Sequence, residues 1–144
     1  MHIDLVRADI TSLRADAIVN PNSSQLAHGA DVGSATVSTG GNVLCKFVIQ
    51  AVVPRLGEGD EDAKLRKATI SSLERAEELA IESVAFPPMS SGVFGFSYER
   101  CAQIMLSAAI DFAPRARSLR RVFFALFGEQ AYSDFERVLR GLQK

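Results

Sequence analysis

The chain consists of short apolar runs separated by polar loops and by segments with helical periodicity. Apolar and polar residues alternate over residues 3–7, while residues 16–20, 46–53, 84–87 and 122–127 are mostly apolar. Alternation is typical of a strand with one buried face, and continuous apolar runs are typical of strands buried on both faces. The pattern therefore predicts five β-strands.

Three segments carry apolar residues at the spacing of an amphipathic helix. Residues 63–80 and 98–112 are predicted as helices, and Ser97 stands at the N-cap position of the second. A third helix is predicted near the C-terminus, where the apolar positions are Phe135, Val138, Leu139 and Leu142. Residues 31–38 are ambiguous. They could form a helix, but most of their residue types are poor helix formers.

Strands that alternate with helices predict an α/β fold with a mainly parallel sheet covered on both faces. The 144 residues fit a single domain, residues 1–144. Ligands in such folds bind beyond the carboxyl ends of the strands. Residues 20–22, 87–96 and 127–128 all lie at such ends, so we expect them to converge on one site.

The composition is that of a folded protein, with 47% apolar and 23% charged residues. A net charge of −1 gives no general attraction to nucleic acid or to an anionic membrane. No apolar run approaches the roughly 20 residues that span a bilayer, and the N-terminus lacks the basic and apolar regions of a secretory signal. We therefore expect an intracellular protein, cytoplasmic or, in a eukaryote, nuclear, with no membrane partner.

Cys45 and Cys101 both lie among apolar neighbours, and neither belongs to a CxxC pair. They are predicted to be reduced core thiols rather than a disulfide, a metal site or a nucleophile. The chain has only two histidines and no Cys/His cluster, so no zinc site is expected. No cofactor is expected either.

The most informative stretch is SVAFPPMSSGVFGF, residues 83–96, in which an apolar run stops at a proline pair and opens into a Gly/Ser loop. A strand, a small-residue loop and the start of a helix together present backbone N–H groups that can cradle a phosphate. The stretch therefore predicts a phosphate-bearing ligand. The alternative is an ordinary strand-to-helix turn that binds nothing.

Four motifs, in the same order, resemble those of the macro domain family. Residues 8–11, Ala-Asp-Ile-Thr, resemble its Gly-Asp-Ile-Thr, and residues 16–21 resemble its second strand, which leads into an asparagine motif. Residues 41–54 resemble Gly-Asn-Leu-Pro-x-Lys-Tyr-Val-Ile-His-x-Val-Gly-Pro, and residues 83–95 resemble Ser-Ile-Ala-Phe-Pro-x-Ile-Ser-x-Gly-Ile-Phe-Gly. The resemblance implies a three-layer α/β/α sandwich that binds ADP-ribose, and some family members hydrolyse ADP-ribose conjugates.

The resemblance also implies ligand-binding roles. Asp9 would accept a hydrogen bond from the adenine amino group, the backbone N–H of Ile10 would complete the adenine edge, and Phe127 would stack on adenine. Backbone N–H groups would wrap the diphosphate in the loop of Ser90, Ser91, Gly92, Val93, Phe94 and Gly95. From the residues alone, Asp9 could instead be a turn acid and Phe127 a core aromatic.

The asparagine motif departs from the family pattern of Asn-x-x-Asn. This chain has Asn20-Pro21-Asn22-Ser23. An ungapped alignment puts Ser23 where the family holds the distal ribose, and a one-residue deletion puts Asn22 there. Asn20 and Asn22 are taken as ligand-binding residues, and Asn22 is the candidate catalytic residue, because an amide can bind a ribose hydroxyl and help to place a water.

The second phosphate loop departs further. The family has consecutive glycines followed by Val-x-x-Ala-Ile, whereas residues 28–35 of this chain are His-Gly-Ala-Asp-Val-Gly-Ser-Ala. The resemblance places Gly29 and Val32 at the ligand, while Ala30 and Asp31 take two glycine positions. A carboxylate facing the diphosphate would repel it, and one pointing to solvent would cost little.

A deletion is the third departure. Between Gly40 and Gly41 the family has a helix and a strand for which this chain has no residues. The missing strand would lie at the edge of the sheet, so its loss is expected to uncover residues 46–53. An exposed apolar edge invites pairing with a second copy, and dimerisation through this strand is a prediction.

Two functions follow from these features. The first is a module that binds ADP-ribose or mono-ADP-ribosylated protein, with weak de-ADP-ribosylating hydrolase activity. The alternative is a degenerate, non-catalytic module with weak or no ligand binding, which Asp31, the altered asparagine motif and the deletion favour. RNA binding is not favoured, because its only local support is the basic stretch 115–121.

Overall fold

The structure is a computed structural model of the chain, and it describes residues 1–23, 31–39 and 45–143. The strands are β1 (His2–Val6), β2 (Ala17–Asn22), β3 (Ala35–Thr39), β4 (Phe47–Val52), β5 (Ser83–Phe86) and β6 (Arg121–Ala125). The α-helices of these residues are α1 (Glu61–Glu78), α2 (Tyr98–Phe112) and α3 (Glu129–Leu142). All five strands and all three helices predicted from periodicity are present, with small shifts at their ends.

The strands form one mixed, mostly parallel sheet in the order β1-β6-β5-β2-β4-β3. Neighbouring strands are parallel throughout, except that β3 is antiparallel to β4. Because parallel strands end at the same edge of a sheet, the carboxyl ends of β1, β6, β5, β2 and β4 lie side by side. The predicted α/β class with a mainly parallel sheet is confirmed.

The edge strand β3 corrects an expectation from the sequence. The segment 31–38, left open between helix and non-helical structure, supplies most of a strand, in which Ala35 pairs with Ala51 and Thr39 with Phe47 along β4. The expectation that residues 46–53 form an uncovered edge is therefore wrong, because β3 covers β4. Dimerisation through that strand loses its physical basis.

The three helices pack on one face of the sheet. α1 contacts α2, α2 contacts α3, and their apolar sides share one core with strand residues such as Val19, Ile49 and Phe124. Strand residues that point the other way, including Ile18 and Ala85, form a smaller cluster with the turn Ile10–Ser12 and its neighbours. Within the described residues, helices form one outer layer of the sandwich and a short turn covers part of the other.

Both cysteines are free and buried, as predicted. The Cys101 thiol donates a hydrogen bond to the carbonyl of Met89, and burial raises the pKa of this thiol to about 12. It therefore stays protonated and unreactive at neutral pH. Among the residues that the structure describes, no cluster of His, Cys, Asp or Glu side chains could hold a metal ion, and no helix is long and apolar enough to cross a membrane.

Candidate ligand-binding site

One cleft of about 350 Å³ lies beyond the carboxyl ends of β1, β5 and β6. Its lining residues are Ala8, Asp9, Ile10, Pro87, Pro88, Tyr98, Ala125 and Phe127. The structure thus brings together the three residues predicted for adenine, Asp9, Ile10 and Phe127. Tyr98 also lines the cleft and was not among the predicted site residues, although its place directly after the N-cap of α2 puts it at this edge of the sheet.

Asp9 both caps a turn and lines this cleft. Its Oδ1 accepts hydrogen bonds from the Thr11 backbone N–H at 3.0 Å and from the Thr11 hydroxyl at 2.8 Å. These bonds, the backbone one first, hold the pKa of Asp9 below its ordinary value. The carboxylate is therefore ionised at neutral pH, and no donor among the described residues occupies its Oδ2. The turn-acid role and a ligand-binding role are compatible.

Phe127 is not a core aromatic, because 80% of its surface is exposed. Leu126, directly before it, is fully buried, and Gly128, directly after it, begins α3 with a φ of 105°. The chain therefore turns sharply between the sheet and the helix and leaves the ring on the rim of the cleft. This exposed position suits a flat partner that stacks on the ring.

The loop of residues 90–95 follows β5 and has an unusual backbone. Ser90, Gly92 and Gly95 all have positive φ values, 65°, 63° and 98°. Within the loop, the N–H of Phe94 donates to the Ser91 carbonyl, and that of Gly95 donates to the Gly92 carbonyl. Among the described residues, no acceptor takes the N–H group of Gly92. This amide opens the short 3-10 turn and is available to an anion.

The segment directly after β4 holds this loop in place. The Ser90 hydroxyl donates to the Pro54 carbonyl at 2.7 Å, and the Leu56 N–H donates to the Phe94 carbonyl at 2.8 Å. A Cβ atom added at Gly95 would lie 2.9 Å from the Leu56 Cβ, so only glycine fits there. On the other side, Ser97 closes the loop as the predicted N-cap of α2, accepting from the Arg100 N–H at 3.1 Å.

Asn20 and Asn22 meet at one residue of β4, Gln50. The Asn20 Nδ2 donates to the Gln50 Oε1 at 2.9 Å, and the Asn22 Nδ2 donates to the same atom at 2.7 Å. Ser23, the alternative from an ungapped alignment, is buried. The structure therefore brings Asn22 together with Asn20. Gln50 was not among the predicted site residues, and its signal in the sequence was a lone polar side chain inside an apolar run.

Val32 belongs to the turn that leads into β3. The N–H of Gly33 donates to the Val52 carbonyl at 2.7 Å, and the N–H of Ser34 donates to the Asp31 carbonyl at 3.1 Å. The turn thus lies beyond the end of β4, at the same edge of the sheet as the cleft but apart from its lining residues. The Asp31 side chain is exposed, so water solvates its charge. Gly29 lies outside the described residues.

The comparisons with known proteins agree with this arrangement. A family model described as the Macro domain matches residues 16–105. The chain belongs to the macro domain family. A relative from Sulfolobus acidocaldarius is 36% identical over 167 aligned positions, which take in 96% of this chain and 90% of the relative. An alignment longer than the chain itself means that the relative contains segments for which this macro domain has no counterpart.

Solved macro domains have the same fold. A variant of the Oceanobacillus iheyensis macrodomain with ADPR has a TM-score of 0.88 at 23% identity, over 96% of this chain and 92% of that one. The Trypanosoma brucei macrodomain in complex with ADP-ribose has a TM-score of 0.84 at 25% identity, over 94% of this chain and 68% of that one. The α/β sandwich implied by the resemblance is thus confirmed.

Proposed function

We propose that this macro domain binds ADP-ribose, either free or attached to a protein. The observation that carries the proposal is the order of chemical groups along the carboxyl edge of the sheet. The cleft with Asp9 and Phe127 lies at β1 and β6, the loop 90–95 follows β5, and Asn20 and Asn22 end β2. A base, a diphosphate and a sugar in this order match the adenine, the diphosphate and the second ribose of ADP-ribose.

The base site supports adenine. The ionised Asp9 carboxylate accepts a hydrogen bond from an exocyclic amino group, and a charged acceptor forms a stronger bond than a neutral one. Phe127 offers an exposed ring for stacking, and Pro87 and Pro88 add apolar walls. Because the carboxylate has no proton to donate at neutral pH, a base that presents only acceptors at this position is disfavoured.

The diphosphate site rests on the loop 90–95. The Gly92 N–H opens a turn that is already formed, so binding an anion there requires little rearrangement. The loop is also near a cation, since the Arg55 guanidinium lies 5.1 Å from the centre of the Phe94 ring. The solvated Asp31 side chain imposes only a small electrostatic cost on a bound diphosphate.

Hydrolysis of mono-ADP-ribosylated protein is a second proposal, which rests on Asn22. Its half-buried carboxamide is fixed through Nδ2 by Gln50, which leaves the Oδ1 to accept from a hydroxyl or a water. The test is release of ADP-ribose from a mono-ADP-ribosylated protein, with an expected loss in Asn22→Ala. Full activity of that variant would refute the role of Asn22.

Isothermal titration calorimetry with ADP-ribose tests the binding proposal. We expect saturable heat with 1:1 stoichiometry, and weaker binding of AMP, which lacks the diphosphate and the second ribose. Uridine diphosphate ribose is the matched control, because it keeps the diphosphate and the sugar but replaces the base. No heat at millimolar ADP-ribose would overturn the proposal and favour the degenerate module that acts through protein contacts.

A further inference from the structure

Gln50 is the shared partner of two asparagines at the edge of the proposed cleft. Asn20 and Asn22 are two residues apart on β2, so their side chains point to the same face of the sheet. Gln50 pairs with Asn20 in the register of β2 and β4. Its Oε1 accepts from both Nδ2 groups, and its Nε2 donates to the Ser38 hydroxyl on β3 at 3.4 Å. The four side chains form a polar row across three strands.

This arrangement determines which atoms the asparagines present. A carboxamide oxygen has two acceptor sites, and the two Nδ2 groups fill both of those on Gln50. Because each asparagine turns its nitrogen towards Gln50, each turns its Oδ1 away from it. No donor among the described residues reaches these two Oδ1 atoms. They form a pair of acceptors, which suits a ligand group that carries hydroxyl donors.

The position of this pair along the sheet identifies that group. Neighbouring strands are about 4.8 Å apart. A ligand with its base at β6 and its diphosphate at β5 therefore reaches β2 with the part that follows the diphosphate. In ADP-ribose this part is the second ribose, which carries several hydroxyl groups, whereas ADP ends at the phosphate.

We propose that Gln50 is a positioning residue that holds Asn20 and Asn22 with their Oδ1 atoms ready to accept hydrogen bonds from the second ribose. The inference rests on the proposed function and deepens it, because it assigns to Gln50 the preference for ADP-ribose over ADP. Without Gln50, both carboxamides rotate freely about their terminal bonds and lose this orientation.

The test compares ADP-ribose and ADP by calorimetry in the full chain. We expect Gln50→Leu to weaken ADP-ribose binding about tenfold, the loss that corresponds to one or two hydrogen bonds, and to change ADP binding less than twofold. Gln50→Glu keeps an acceptor for both Nδ2 groups and should retain the preference. Gln103→Leu makes the same change at an exposed glutamine of α2 outside the cleft lining and is the matched control, with both affinities unchanged.

The outcomes separate the inference from the proposed function. If Gln50→Leu weakens the binding of ADP-ribose and of ADP equally, the role of Gln50 is purely structural. If it weakens the binding of neither ligand, Gln50 has no role in binding. If the wild-type protein binds ADP-ribose and ADP equally well, the inference about Gln50 is refuted but nucleotide binding is not. If the wild-type protein binds neither ligand, the inference and the proposed function are both refuted. Thermal unfolding checks the fold of each variant, and Gln50→Ala replaces Gln50→Leu if the leucine variant does not fold.

Discussion

Phe127 shows how the end of a strand can leave an aromatic ring exposed. β6 ends at Ala125, the Leu126 side chain is buried in the core, and the Phe127 ring is exposed to solvent. An exposed aromatic ring gains free energy when a flat apolar partner covers it. The position therefore contributes little to folding and is free to serve a ligand.

We predict that Phe127→Ala weakens ADP-ribose binding roughly tenfold or more, because base stacking on an aromatic side chain contributes about 1–3 kcal/mol. The urea midpoint should stay the same, since the ring packs on nothing that the fold needs. Leu142→Ala, which shortens another exposed apolar side chain outside the cleft lining, is the control for affinity and should leave ADP-ribose binding unchanged. Undiminished affinity in Phe127→Ala would mean that the ring does not touch the base.

Two glycines of the loop 90–95 allow the cost of a positive φ to be measured separately from the cost of steric crowding. Gly92 and Gly95 both have positive φ, but only at Gly95 would an added Cβ meet a neighbour, Leu56. We predict that Gly92→Ala lowers the free energy of unfolding by about 1 kcal/mol, the usual cost of a left-handed alanine. Gly95→Ala should cost clearly more. Urea unfolding of the pair measures the difference, and equal values would contradict the proposed crowding at Leu56.

At the scale of an element, Glu77 fixes the connection between α2 and β6. Its carboxylate accepts from the N–H groups of Arg117, Ser118 and Leu119 and from the Ser118 hydroxyl, at 2.9–3.1 Å. Burial pushes the pKa of Glu77 upwards, but these hydrogen bonds outweigh it and hold the pKa below its ordinary value. The basic stretch 115–121 is thus organised by an acid on α1.

The lowered pKa of Glu77 makes a pH-dependent contribution to stability. A carboxylate with a depressed folded-state pKa stabilises the fold fully above its unfolded pKa, and the contribution is lost as pH falls through the folded value. We predict that Glu77→Gln lowers the free energy of unfolding by about 1 kcal/mol at pH 7, with a smaller difference from wild type below pH 4.

Chemical unfolding at pH 7 and below pH 4 measures this difference. Glu78→Gln is the control, because it breaks only an exposed ion pair with Arg75 and should cost little at either pH. A Glu77→Gln penalty that is the same at both pH values would show that the charge of the carboxylate does not matter.

Elements with a strong local pattern could be predicted from the sequence, and those fixed by tertiary contacts could not. The helix 98–112 carries its own N-cap and apolar side, and the predicted bounds match α2. β3 has only five residues, and pairing with β4 determines that it is a strand. The same holds in the site: Asp9 and Phe127 follow from motifs at strand ends, whereas the contacts of Gln50 depend on a register that only the folded sheet reveals.

At the scale of the whole molecule, helices cover one face of the sheet in the described residues, and its edges are β1 and β3. β3 is short, and of its described exposed side chains Thr36 and Ser38 are polar and Val37 is apolar. Short polar edges pair poorly with a second copy. Pairing of two copies through β3 is therefore not favoured.

We predict a monomer in solution. Light scattering after size exclusion should give a mass near 15.6 kDa at tens of micromolar protein. Val37→Lys, which adds a charge to β3, should leave the mass unchanged. A wild-type mass near twice that value that falls in the Val37→Lys variant would instead establish dimerisation through β3.

The attachment of residues 90–95 to the segment after β4 has a consequence for kinetics. Because Ser90 and Phe94 are already bonded to Pro54 and Leu56, the loop has its shape before any nucleotide arrives. A preformed site loses little entropy on capture and needs no slow rearrangement. We therefore expect the observed rate constant of association to rise linearly with ligand concentration. Ligands should then differ in how long they stay bound rather than in how fast they bind.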